Sequence, residues 1–280
     1  MPELPEVETT KLSLEPLLGA TVCQTTVHQP SLRWRVPDDL EALVGYQLIR
    51  LQRRSKYIIA TFQRDDATQQ KQMLWHLGMS GSFSLAACEK ALRKHDHVIF
   101  RFRYDDGELL ELRYHDPRRF GCILWLDETS QKLLDVLGVE PLSDDFTADY
   151  LQQKFKNKSV AIKNAIMDSH IVVGVGNIYA TESLFNLGIH PLQAAKTLTF
   201  PQLEQLVQEI KKILANAIHL GGTTLKDYSN AMGENGYFQQ TLLAYGRAGE
   251  MCVNCETTLQ NVKIAQRSSV FCPQCQPLRK

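Results

Sequence analysis

At 280 residues, with 44% apolar and 22% charged side chains, the chain exceeds one small module and suits two compact domains, each able to bury a core. No stretch approaches the roughly 18 consecutive apolar residues of a membrane span, and MPELPEVETT lacks the basic start and apolar run of a secretory signal. A cytosolic protein without membrane association is therefore expected. A formal net charge of zero excludes a uniformly basic nucleic-acid binder.

Pro2 and Pro5, with Glu3, Glu6 and Glu8, precede Lys11 and predict a helix that opens with proline and acids in its first turns. Leu4, Val7, Leu14 and Leu18 are expected to form its apolar face. After Gly19 the pattern changes to short alternating or apolar runs, TVCQTTVH, QLIRL, KYIIATF, HVIFRFRY and ELLELRY, which predict strands. Tyr104 to Glu108 joins two of these runs through an Asp-Gly turn, a hairpin signal. The pattern then becomes helical, with QKLLDVLG, ADYLQQKF, VAIKNAIMD, NIYATESLFNLG and FPQLEQLVQEIKKILANAIHLGG, and the acidic stretch around Glu128 to Asp145 marks the boundary. The last of these helices should stop on a glycine cap. An N-terminal β-sandwich or barrel followed by a helical region is the fold expected, with neither internal repeats nor low-complexity segments.

Charge is unevenly distributed. Seven acids face one lysine from Asp127 to Asp149, whereas four lysines and no acid lie from Leu151 to Lys163. Further basic clusters occur at Arg50, Arg53, Arg54 and Lys56, at Arg118 and Arg119, and at Lys263, Arg267, Arg279 and Lys280. Taken singly such clusters read as solvated faces; together they suit a phosphate backbone.

Near the end, Cys252-Val-Asn-Cys255 and Cys272-Pro-Gln-Cys275 are separated by 16 residues. The spacing predicts a four-thiolate zinc site rather than a redox dithiol, and a closed tetrahedral site is structural, with no open position for activating water. Cys23, Cys88 and Cys122 are expected to be buried small hydrophobes. Between the knuckles, Val262 to Ile264 and Ser269 to Phe271 read as strands, with Ala265 to Ser268 as the tip from which Arg267 projects.

PELPEVE at the start, HLGMSG at 76 to 81, DPRRFG at 116 to 121, VVGVGNIYA at 172 to 180 and the AQR-bearing zinc hairpin occur together and in order. Across essentially its whole length the chain resembles the bacterial formamidopyrimidine-DNA glycosylases, bifunctional glycosylase and abasic-site lyase enzymes acting on 8-oxoguanine and ring-opened purines. The resemblance implies an α+β architecture: an N-terminal helix and β-sandwich catalytic domain over 1–130, a helical helix-two-turn-helix DNA-binding domain over 131–245, and a β-hairpin zinc finger over 246–280. It implies one structural Zn2+ held by Cys252, Cys255, Cys272 and Cys275, damaged double-stranded DNA as partner, no organic cofactor, and a monomer in the bacterial cytosol.

The same resemblance makes Pro2 the nucleophile once Met1 is removed. A terminal amine titrates at about 8 against about 10.4 for lysine, so its neutral fraction at pH 7 is roughly two hundred times larger. Its adduct with the sugar carbon is an iminium ion, an electron sink for β,δ-elimination. Taken alone, Pro2 reads as a helix-starting proline. Glu3 is implied as general acid/base, with Glu6 on the same helical face in a secondary role; Lys56, in QRRSKY, as support for elimination; and Arg267 as the finger's grip on phosphates. Base excision requires eversion of the lesion. Met79, Arg118 and Phe120 match the family's void-filling trio, although singly Met79 and Phe120 read as core residues. Phosphate contacts are implied at His95, Arg118 or Arg119, Lys158 and Asn177, the last after Gly174-Val-Gly176 at a helix start. Ser229 to Tyr237 corresponds to the lesion-capping loop. Two other readings remain: an endonuclease VIII-type glycosylase for oxidised pyrimidines, which typically has glycine at the position of Leu4 and lacks the Met, Arg, Phe set, and a non-catalytic zinc-ribbon DNA-binding protein.

Overall fold

The computed structural model describes residues 2–64, 69–223, 231–232 and 237–278. Met1, Arg279, Lys280 and most of the stretch from Ser229 to Tyr237 singled out above lie outside them. The chain packs as two compact units, Met1–Asp135 with Gly221–Tyr237, and Val136–Leu220 with Phe238–Lys280.

The first unit opens with α1 (Leu4–Ser13), whose Pro5 sits in the first turn and whose Glu6 closes a capping box on Glu3. Leu4, Val7 and Leu14 are buried as expected, but Leu18 is 40% exposed. Pro16 explains the difference: the helix stops at Ser13, a 3-10 turn spans Glu15–Leu17, and Leu17 takes the buried place.

Eight strands follow: β1 (Thr21–Val27), β2 (Gln47–Arg54), β3 (Tyr57–Gln63), β4 (Gln70–His76), β5 (Ser82–Ala86), β6 (Asp96–Arg103), β7 (Leu109–His115) and β8 (Cys122–Trp125). They pair antiparallel in the order β5-β7-β6-β1-β2-β3-β4-β8. β1 and β2 share one ladder position, Thr21 opposite Gln47, so the sheet turns there into two four-stranded layers. Val22, Val98, Phe100, Phe102, Leu112 and Tyr114 from one layer meet Leu48, Ile58, Ala60, Phe62, Met73 and Trp75 from the other in one core. Trp75 on β4 lies 4.9 Å from Phe83 and 5.8 Å from Phe100, ring to ring, across the sandwich. Each such burial stabilises by about 2–3 kcal/mol relative to exposure. The Asp-Gly turn closes the β6–β7 hairpin with Gly107 at φ +89°. α2 (Glu128–Asp135) ends the first segment of this unit.

The second unit contains α3 (Ala148–Phe155), α4 (Ile162–Met167), α5 (Asn177–Asn186) and α6 (Phe200–His219), then β9 (Gln260–Ile264) and β10 (Arg267–Phe271). A capping box between Thr199 and Gln202 starts α6, which buries Leu203, Leu206, Val207, Ile210, Ile213, Leu214 and Ala217. Past its cap, Gly221 takes φ +78°, the glycine stop expected from HLGG. The cysteine-bearing tail shares a core with α5, where Phe185 and Ala244 pack with Cys252, Leu259, Val270 and Cys272. Among the described residues no helix is long and apolar enough to cross a membrane.

Candidate active site

The N-terminal end of α1 is an unusually polar piece of interior. Pro2 is buried, and the side chains of Glu3 and Glu6 are on residues only 2% exposed. Glu6 resolves part of this polarity: its Oε2 accepts the Glu3 N–H at 2.8 Å and its Oε1 accepts the Thr223 N–H at 2.8 Å. Gly222, beside it, has φ +82°, and a Cβ there would press on Glu6 and Thr9 at 3.3 Å. One carboxylate thus ties the helix start to the chain that returns from α6.

Lys56 occupies the two-residue turn between β2 and β3, where Ser55 takes φ +57° and Arg54 pairs with Tyr57. A second carboxylate of α1 fixes this turn. Glu8 Oε2 accepts from Arg53 Nε at 2.7 Å, and Arg53 Nη1 donates to the Ser55 carbonyl at 3.0 Å. Burial would raise the Glu8 carboxyl, but Lys11 and Arg53 overcome it and hold it below the ordinary carboxylate range. The helix bearing Pro2 and Glu3 is therefore clamped to the hairpin bearing Lys56. Arg53 is thus engaged by Glu8 and by the Ser55 carbonyl.

His76 ends β4 opposite Tyr57, with the two rings 4.7 Å apart. Burial, and then the Lys56 and Arg33 charges, push its imidazole down to about 4, so it is neutral at pH 7 and its Nδ1 accepts the Gly78 N–H at 2.9 Å. That bond shapes the turn carrying Met79. Met79 is 42% and Phe120 44% exposed, and the Arg118 guanidinium lies 5.0 Å above the Phe120 ring. Neither apolar side chain is core, contrary to what each suggests when read singly. Arg119 is exposed, with φ +57°. His95 lies just before β6, its ring 5.9 Å from those of His97 and His115. Partial burial and then the positive charge of its neighbours lower its pKa.

In the second unit the four cysteine sulfurs all lie within 4.8 Å of one another. The Cys255 to Cys272, Cys255 to Cys275 and Cys252 to Cys275 separations are 3.4, 3.3 and 3.9 Å. A tetrahedron of thiolates at about 2.3 Å from zinc has edges of about 3.8 Å, so this donor set fits one zinc ion. Hydrogen bonds from Thr257 and then the neighbouring thiols lower the Cys255 pKa, while the Cys255 contact and then burial raise that of Cys275. The site is closed on all four sides, which makes the metal a structural one. Of the remaining cysteines only Cys122 is buried; Cys23 and Cys88 are partly exposed, because they sit on the outer side of the sandwich and in a loop.

Three family models cover nearly the whole chain: the formamidopyrimidine-DNA glycosylase N-terminal domain over residues 1–123, the formamidopyrimidine-DNA glycosylase H2TH domain over 137–229, and a zinc finger found in FPG and IleRS over 249–278. A formamidopyrimidine-DNA glycosylase of Acinetobacter baumannii is 68% identical, covering 100% of this chain and 98% of the relative, and one of Psychrobacter arcticus is 51% identical over 99% of each. The fold matches Lactococcus lactis Fpg in complex with abasic-site DNA at TM-score 0.87 and 32% identity, covering 98% of this chain and 99% of that one. The chain belongs to the formamidopyrimidine-DNA glycosylase family. This glycosylase is accordingly a DNA-repair enzyme of the bifunctional kind, a glycosylase with abasic-site lyase activity, and its fold is the sandwich, helical region and zinc hairpin foreseen.

In this glycosylase the first unit brings Pro2, Glu3, Lys56, Met79, His95, Arg118, Arg119 and Phe120 onto one framework, and the second carries Lys158, Asn177 and Arg267. Asn177 begins α5 after Gly176, with no side-chain cap and no acid in the first turn, and its buried Oδ1 has no hydrogen-bond partner among the described residues. Lys158 is partly exposed in the turn after α3. Arg267 is exposed but does not project from the tip: Ala265 (φ +46°) and Gln266 (φ +64°) make the whole turn, and Arg267 is the first residue of β10, opposite Ile264. Two left-handed residues in succession match the strand twist, a geometry that no glycine or asparagine announces in the sequence.

Sequence reading missed Lys163, a lysine 1% exposed whose Nζ donates to Thr181 Oγ1, Ser269 Oγ and the Ser268 carbonyl at 2.8, 2.8 and 3.1 Å. It ties α4 and α5 to the strand that starts with Arg267. Counted among the basic residues of a run, it had no signal to separate it from its solvated neighbours.

Proposed function

We propose that this enzyme excises oxidised purines, 8-oxoguanine and formamidopyrimidines, from duplex DNA and then cleaves the strand through a Schiff base on Pro2. The reading rests on one observation above all, the burial of Pro2 and Glu3 at the head of a helix that Glu8 and Arg53 clamp to the Lys56 turn. After Met1 is removed, the neutral Pro2 nitrogen attacks C1′ of the lesion nucleotide. The glycosidic bond breaks, its electron pair leaves with the base, and Glu3 moves the protons that release the base and open the sugar. The iminium formed between Pro2 and C1′ acidifies C2′, whose proton departs as the 3′-phosphate is eliminated; a second elimination releases the 5′-phosphate. Lys56 and Arg267 support these eliminations by holding phosphate oxygens and donating to the leaving groups.

Met79, Arg118 and Phe120 fill the space that the everted nucleotide leaves. His95, Arg118, Arg119, Lys158 and Asn177 hold phosphates, and zinc on the four cysteines keeps the Arg267 hairpin folded. The functional division runs 1–130 for catalysis, 131–245 for helical DNA binding and 246–280 for the finger, in a monomer acting in the cytosol without an organic cofactor.

A second reading, oxidised pyrimidines as substrates, is favoured by one finding: a solved complex of Lactococcus lactis Fpg holds DNA containing an oxidised pyrimidine. Single-turnover rates on matched duplexes decide between them. Faster cutting of 8-oxoguanine opposite cytosine supports the first reading; faster cutting of an oxidised pyrimidine supports the second. Failure to cut either, with binding intact, would leave a DNA-binding protein only.

A further inference from the structure

The proposed wedge residues stand on two separate turns, Met79 in residues 77–81 and Arg118 with Phe120 in residues 116–121. Two side chains that the repair chemistry does not use lie between these turns. Asp116 is 0% exposed, and its Oδ1 accepts from Ser80 Oγ at 2.7 Å. Its Oδ2 accepts the Gly121 N–H at 2.9 Å and the Tyr114 hydroxyl at 3.2 Å. Ser80 Oγ in turn accepts the Arg118 N–H at 3.2 Å. The backbone of Asp116 extends the connection, donating to the His95 carbonyl at 3.0 Å and accepting from Arg119 N–H at 3.2 Å and His97 Nε2 at 2.8 Å.

The two turns also touch so closely that a Cβ at Gly78 would collide with the Phe120 carbonyl and the Gly121 nitrogen. Nothing larger than glycine fits there, so the relative position of the turns is set by backbone contact and by the hydrogen bonds that hold it. A buried carboxylate with three donors converging on it is a rigid joint, because each lost bond would leave a charge or an N–H unsatisfied in the interior.

We propose that Ser80 and Asp116 form a bridge that fixes the spacing of the two wedge turns, which makes them positioning residues for lesion eversion. They act through Met79, Arg118 and Phe120, so the inference rests on the wedge reading of those three. Ser80 suits the joint because one hydroxyl both donates to Asp116 and accepts from Arg118. An amide at 116 does not, since its NH2 would face either Ser80 or the Gly121 N–H. The bridge reaches none of Pro2, Glu3 or Lys56 through any of these bonds, and a sugar that is already baseless in a single strand has no stack to leave.

The test compares Ser80→Ala, Ser80→Thr, Phe120→Ala and the double variant Ser80→Ala/Phe120→Ala in the zinc-loaded full-length enzyme. Eversion is read from 2-aminopurine fluorescence beside 8-oxoguanine in a duplex, and chemistry from borohydride trapping on a single-stranded abasic oligonucleotide. Ser80→Ala should slow eversion about tenfold, leave trapping within twofold of wild type, and add nothing to Phe120→Ala in the double variant; Ser80→Thr, which keeps the hydroxyl, should restore most of the rate. If Phe120→Ala slows eversion and Ser80→Ala does not, the bridge is refuted while the wedge reading stands. If Phe120→Ala everts at the wild-type rate, the wedge reading fails and takes the bridge with it. Equal losses by Ser80→Ala in eversion and trapping would mark general damage and also overturn the proposal.

Discussion

Glu6 illustrates how much of this site rests on single polar atoms. Its two oxygens each accept a buried backbone N–H, one at the helix start and one at Thr223. Glu6→Gln keeps one acceptor and turns an NH2 toward the other N–H, so it should cost about 1–3 kcal/mol, read as a lower urea midpoint with an unchanged slope. A stability equal to wild type would show that these two bonds hold nothing. Gly121 is a similar case without charge: a Cβ there would collide with the Tyr114 hydroxyl and the His76 carbonyl. Gly121→Ala must move the β4 end or the turn that carries Phe120, and it should destabilise by about 1–3 kcal/mol.

Among the elements, the α1 to β2–β3 clamp joins the helix behind the proposed nucleophile to the turn that carries Lys56. Arg53 and Glu8 are 10% and 19% exposed in their side chains, too buried for either to lose its partner without cost. Arg53→Met should slow strand cleavage about tenfold while duplex affinity stays within threefold; an equal fall in affinity would return Arg53 to the phosphate-contact group. β4 contributes a pH signature. His76 titrates at about 4 when folded against 6.5 for the free side chain, so between these values the unfolded chain binds a proton that the folded chain refuses. Stability should be complete above about pH 6.5 and fall toward pH 4, by on the order of 3 kcal/mol from this residue. His76→Gln should flatten that stretch of the urea-midpoint profile, and an unchanged slope would contradict a buried neutral ring.

The elements themselves were legible to different degrees. β1, β2, β3, β6 and β7 stood out because each alternates or runs apolar for seven or eight residues. β4 begins with Gln70, Lys71 and Gln72, β5 has five residues and β8 four, too little pattern to rise above their surroundings. The zinc ligands were plain from spacing alone. Asp116, Glu8 and Lys163 were not, because a buried polar residue looks like a surface one until its partners, distant in sequence, are in view.

At the scale of the whole molecule, a formal charge of zero conceals the basic groups proposed to meet DNA. With roughly five phosphate contacts, log affinity should fall against log salt with a slope of about 4.5, whereas a nearly flat titration would remove the electrostatic footprint. Cys272 belongs both to the four-thiol cluster and to the core shared with Phe185. Cys272→Ser should therefore release zinc, loosen the tail and abolish duplex binding, and wild-type affinity in that variant would contradict a metal-supported Arg267. The central claim, that the reactive group is the amine of Pro2, is tested most directly by locating the bond it makes. Borohydride-trapped enzyme on abasic duplex, digested and sequenced by mass spectrometry, should carry the reduced sugar on the N-terminal peptide at Pro2, and a form retaining Met1 should yield no adduct. A sugar found on Lys56 or any other lysine, or full trapping with Met1 in place, would contradict it.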